Sequence, residues 1–157
     1  MNYPVFAHTL ILVVASLAPP GVGGDRKMGA ESGEAKGVLK QMAGTWEVAF
    51  RGFNGRLDPE VHVGSRSAIL ADGSLIPEGQ ERKEPVRWVI RIDPTARPRT
   101  IDLISPRGRV TEGIYELDGD ELHICYALEG MPRPTDFTYP LNGGQVYQLW
   151  RRVKDKK

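Results

Sequence analysis

The chain has 157 residues with 21 Lys plus Arg against 20 Asp plus Glu, a net charge of +1, which excludes a nucleic-acid binder working through bulk charge. One cysteine excludes intrachain disulfides and multi-cysteine metal sites. Eighteen glycines and twelve prolines point to many turns rather than long helices, so a coiled coil and a polytopic membrane protein are excluded too.

Residues 1–24 carry no Asp, Glu, Lys or Arg, and Asp25 is the first charge. Within them, 10–18 (LILVVASLA) is nine residues with only Ser16 polar. As a helix it would span about 14 Å, too short for a bilayer core of about 30 Å. It fits the apolar stretch of a secretory signal, although no Lys or Arg precedes it. Cleavage is expected after Gly24, or after Ala18 despite the following Pro19. Cys125 lies far from this run, so no lipid anchor is expected. The expectation is an exported protein, periplasmic or extracellular, with a polar Gly-rich leader over 25–37 and a charged tail over 154–157.

The folded domain is expected over 38–153. EAKGVLKQM at 34–42 can form about two helical turns, ended by Gly44. From Thr45 the apolar period is two: Trp46, Val48 and Phe50; Trp88, Ile90 and Ile92; Leu122, Ile124 and Tyr126; Tyr147 and Leu149. Asp72-Gly73 and Asp118-Gly119 sit between such runs as hairpin turns, and Asn142-Gly143-Gly144 precedes the last one. Strands are predicted at 45–51, 61–70, 74–77, 86–92, 99–104, 109–117, 121–127 and 145–153. Eight short strands suggest an all-β sandwich or barrel, and closure would remove exposed edges.

The charges are segregated. Residues 82–109 sum to +5 and 112–136 to −6, so neighbouring strands are expected to pair charges on their outer faces. Arg97, Arg99, Arg107 and Arg109 would make an anion-binding patch if the fold gathered them.

Gly44-Thr45-Trp46 resembles the opening of lipocalin-type barrels. The resemblance implies an antiparallel up-and-down barrel of about eight strands with a short N-terminal helix. It also implies that Trp46 closes one end and that an arginine of the last strand covers its indole. Arg151 shares parity with Tyr147 and Leu149, the more apolar face, and is the expected partner. More closely, the chain is similar to a planctomycete-type family of uncharacterised lipocalin-like bacterial proteins. The segments are QMAGTWEV at 41–48, IDP and TIDL within 92–103, GIYELDGDELHICYA at 113–127 and RPTDF at 133–137. The family carries no established activity to transfer.

The chemistry-bearing residues are sparse. His62 and His123 lack the further ligands a zinc site needs, so no metal is expected. Cys125 and His123 sit two apart on one strand, about 6.5–7 Å at Cα, long for a nucleophile and its base. Asp118 and Asp120 flank a hairpin glycine, where Asp serves turn geometry. No nucleophile elbow, metalloprotease or phosphate-loop motif is present, and no cofactor is implied. The expected function is therefore an exported, monomeric, non-enzymatic binding or structural module. Its partner would be a small apolar ligand or an envelope protein, and the pocket candidates are Trp88, Tyr115, Tyr126 and Phe137. The competing expectation is a hydrolase-like enzyme using carboxylates in the barrel mouth.

Overall fold

The computed structural model describes residues 33–57, 62–79 and 85–154. The expected signal peptide, most of the leader and the last three residues of the tail lie outside them.

Helix α1 (Gly33–Met42) comes first, and Ala35, Leu39 and Met42 form its single buried stripe, spaced four and three apart as one helix face requires. Nine strands follow: β1 (Gly44–Phe53), β2 (Arg56–Leu57), β3 (Arg66–Ile69), β4 (Ser74–Pro77), β5 (Trp88–Asp93), β6 (Thr100–Ile104), β7 (Val110–Asp118), β8 (Glu121–Ala127) and β9 (Gln145–Arg152). Each of β3 to β9 pairs antiparallel with the next, β1 pairs with β3, and β1 also pairs with β9. That last pairing closes an eight-stranded up-and-down barrel, the architecture of a lipocalin-like fold. The two-residue β2 is an appendage on the far end of β1, pairing Gly52 with Leu57 and Phe53 with Arg56.

The predicted strands correspond closely, with two differences. Of the run expected over 61–70, the described part, 62–70, is a strand only from Arg66 to Ile69, and β2 was not anticipated. The joint between β4 and β5 is slight, with only Ser74↔Val89 and Leu75↔Trp88 in register.

One irregularity changes which side chains face inward. β1 pairs Val48 with Trp150 and then Phe50 with Leu149, a bulge that gives β1 one extra residue. Trp46 and Val48 point into the barrel before it; after it Arg51 and Phe53 do, opposite Gln148 and Val146. Phe50 therefore leaves the inward series expected of it and joins the outer surface. On β9 the inward residues are Val146, Gln148 and Trp150, while Tyr147 and Leu149 face outward with Cys125 and His123 of β8.

The core runs from α1 through Trp46, Ile69, Ile92, Tyr115 and Leu122 to Trp150. A second apolar layer lies outside the barrel. The segment 128–144 between β8 and β9 straps across the outer face, with Phe137 against His123 and Tyr147 and with Tyr139 stacked on Tyr147 at 6.0 Å. Tyr139 and Tyr147 both meet Phe50. The Tyr139 ring lies where a Cβ on Gly52 would come within 2.6 Å, so only glycine lets the strap close on β1 here. Gly55 N–H donates to the Tyr139 carbonyl at 2.6 Å, and the Asn142 N–H donates to the Asn54 side chain.

The strap also resolves a charge conflict. Asp102 and Glu112 are direct cross-strand neighbours, an unfavourable pair. Arg133 reaches both, at 2.7 and 3.0 Å, and donates to the carbonyls of Ile101 and Gly113. The expected meeting of the basic and acidic blocks occurs here in modified form: a strap arginine from the acidic block sits between two carboxylates. Arg109–Glu129 at 2.9 Å is the direct form of it.

Candidate functional site

The barrel has two unlike ends. At the start of β1, α1 lies across the opening. The Trp46 indole, fully buried, donates to the Met42 carbonyl at 2.8 Å, satisfying one of the carbonyls a helix end leaves unpaired. Arg152 stacks its guanidinium over the Trp46 ring at 4.2 Å and donates to the carbonyls of Ala43 and Gln41 at 2.6 and 2.7 Å. Its Nε also meets Asp120 at 3.2 Å. Hydrogen bonding from Lys154, together with the charges of Lys154 and Arg152, holds the Asp120 carboxyl below the usual carboxylate range. Gly44 belongs to the same arrangement. Its φ is 142°, and a Cβ there would meet Arg152 Nη1 at 2.5 Å.

The arginine over the indole is thus Arg152 and not Arg151. Arg151 faces outward, with 63% of its side chain exposed, and pairs with Glu121 at 3.1 Å. Tyr147 and Leu149 suggested the inward face because they are apolar, but their burial comes from the strap and not from the barrel.

The opposite end differs among the described residues. Between the start of β5 and the β6–β7 turn lies a depression of about 830 Å³ lined by Val86, Trp88, the 105–109 turn and Glu129. Half-buried Trp88 packs on the core with its inner side. The turn is held by its own hydrogen bonds: Ser105 N–H to the Arg109 carbonyl at 2.8 Å, Arg109 N–H to Ser105 Oγ at 3.0 Å, and Gly108 N–H to the Ser105 carbonyl at 2.8 Å. Below the mouth the barrel interior carries polar groups that the sequence reading placed outside. Arg51 faces inward beside the Phe53 ring at 5.9 Å, and buried Gln148 accepts the Trp150 indole N–H at 2.9 Å. The bulge in β1 hid Arg51; Gln148 is inward because Tyr147 and Leu149 are not.

The four pocket candidates are not brought together. Trp88 lines the depression. Tyr126 faces inward and packs half-buried on the core. Tyr115 is 2% exposed in the sealed half, and burial pushes its hydroxyl above its ordinary pKa. Its oxygen has no hydrogen-bond partner among the described residues. Phe137 lies outside the barrel in the strap and cannot line an interior pocket. The four-arginine patch does not form either. Arg97 and Arg99 precede β6 at the sealed end, and Arg107 and Arg109 follow it at the open end, so roughly 17 Å of strand separates the pairs. Arg97 spends its guanidinium on the carbonyls of Pro94, Thr95 and Ala96.

The His123 and Cys125 side chains each have other partners. His123 Nδ1 lies 2.7 Å from the Tyr147 hydroxyl. Cys125 is buried under the strap and donates its thiol to the Thr138 carbonyl at 3.5 Å. Burial, with a contribution from the Asp136 charge, pushes that thiol from 9.0 up to about 11, away from the thiolate a nucleophile needs. Among the described residues no three His, Cys, Asp or Glu are grouped to hold a metal ion.

Comparison of the chain with protein-family models, with curated proteins and with solved structures gives no match.

Proposed function

We propose that this chain is a lipocalin-like binding module that takes a small ligand at the open end of its barrel and carries out no catalysis. One observation carries the reading: the barrel is sealed by α1, Trp46 and Arg152 at one end and holds a depression of about 830 Å³ at the other. That volume falls within the range of about 300–1,000 Å³ typical of small-molecule sites. Val86, Trp88 and Pro106 give the depression an apolar part beside the polar turn. Its ionisable set is Arg107, Arg109 and Glu129, and Arg109 already holds Glu129.

The proposal includes export of a monomer and membership of the planctomycete-type family. The family's two most specific segments have matching structural work in this chain: GIYELDGDELHICYA is the β7–β8 hairpin, and RPTDF supplies the Arg133 clamp and the Phe137 contact of the strap laid over it.

Binding is tested with a neutral fluorescent apolar probe, N-phenyl-1-naphthylamine, titrated into the purified protein. One saturable site weakened about tenfold or more by Trp88→Ala is expected, in line with the loss of one buried aromatic contact worth roughly 1.5–3 kcal/mol. Absence of saturable binding, or binding indifferent to Trp88→Ala, contradicts it. Export is tested by sequencing the N-terminus of protein taken from its native cell: Asp25 or Pro19 is expected, and an intact Met1 contradicts it.

A further inference from the structure

The chemistry of the mouth narrows the ligand class, on the premise that the mouth is the binding site. Its lining combines apolar Val86, Trp88 and Pro106 with basic Arg107 and Arg109. The two arginines are not equivalent. Arg109 is neutralised by Glu129 at 2.9 Å, whereas exposed Arg107 makes no ion pair with another described residue. Among the described lining residues two arginines meet one carboxylate, which leaves one positive charge without a described partner.

That charge sits on a prepared support. The turn carrying Arg107 is closed by the three hydrogen bonds between Ser105, Gly108 and Arg109, so its backbone needs little ordering when a ligand arrives. A guanidinium presents a planar fork of donors matched to carboxylate, sulfonate or phosphate oxygens. The flat indole of Trp88 in the same lining suits a planar apolar body. We infer that the mouth selects a small organic monoanion with a flat apolar body, the anionic group on Arg107 and the body against Trp88. Glu129 sets the charge count: by occupying Arg109 it leaves room for one negative charge and disfavours a second.

A matched pair of probes tests this. N-Phenyl-1-naphthylamine and its 8-sulfonate share one ring system and differ by a single negative charge. At low ionic strength the sulfonate is expected to bind about tenfold more tightly, the size of one charge-assisted hydrogen bond. Added salt should erode that preference. Arg107→Gln should abolish the preference, so that the two probes bind that variant with equal Kd, and Glu129→Gln should tighten the sulfonate a few-fold. Arg107 is exposed and Glu129 lies in an exposed pair, so both variants are expected to keep the wild-type denaturant midpoint. Equal affinity for the two probes overturns the inference, as does a sulfonate preference that survives Arg107→Gln. Indifference of both probes to Trp88→Ala is a different failure, that of the mouth as the binding site.

Discussion

The floor and the mouth of this barrel are built from opposite materials. At the floor a helix, a buried tryptophan and a stacked arginine consume one another's polar groups: Trp46 and Arg152 between them satisfy the carbonyls of Gln41, Met42 and Ala43. At the mouth Trp88 is only half-buried, and Arg107 has no ion-pair partner among the described residues. Both ends carry a tryptophan and arginines. What separates them is saturation, since groups that have satisfied each other stabilise the fold, while groups left facing solvent are available to a ligand. The same residue types thus serve stability at one end and, in the proposed function, recognition at the other.

That contrast breaks if the wrong end proves sensitive to mutation. The largest expected effect is on Trp46→Ala, which removes a fully buried ring and should destabilise by about 3–5 kcal/mol, read from the denaturant midpoint. Arg152→Ala should cost about 2 kcal/mol, combining the indole contact with the lost helix-end hydrogen bonds. Its neighbour Arg151, in an exposed pair with Glu121, should cost at most about 0.5 kcal/mol, so reversal of that order in chemical denaturation would overturn the assignment of the floor. At the mouth Trp88→Ala should cost only about 1 kcal/mol, since its ring is half out of water already, while the probe affinity falls; a stability loss as large as that of Trp46 would erase the distinction. The smallest effect sharpens the picture of the floor. Tyr115→Phe removes a buried hydroxyl without a described partner, so thermal melting should show no loss of stability and a gain of up to about 1 kcal/mol.

Much of this was legible before any coordinates, and the rest was hidden for identifiable reasons. The alternation in β5 and β8 and the Asp-Gly turns lead directly to an antiparallel barrel, because Trp88, Ile90 and Ile92 and then Leu122, Ile124 and Tyr126 all pack on the core. The sealed end was legible through the resemblance of Gly44-Thr45-Trp46 to the opening of lipocalin-type barrels, and in the structure Arg152 lies where a Cβ on Gly44 would be. The arginine partner was misplaced by one residue, since β9 is covered on both faces and its outer apolar residues imitate an inner series. The bulge near Ala49 leaves no local signal, yet it reverses every later residue of β1 and so concealed Arg51. The strap over 128–144 is irregular, which is why Phe137 read as a pocket residue rather than a cover for the outer sheet. Trp88 alone of the proposed pocket residues lies at the depression; the turn bearing Arg107 was visible only as charge, and its separation from Arg99 depends on which end of β6 each one occupies.

The division between floor and mouth is tested most directly by the three indole N–H resonances in a proton–nitrogen correlation spectrum, followed during titration with the naphthylamine sulfonate. The account predicts that the Trp88 signal moves saturably while those of Trp46 and Trp150, both enclosed in the core and hydrogen-bonded there, stay in place. Movement of the Trp46 or Trp150 signal with Trp88 unchanged would contradict it.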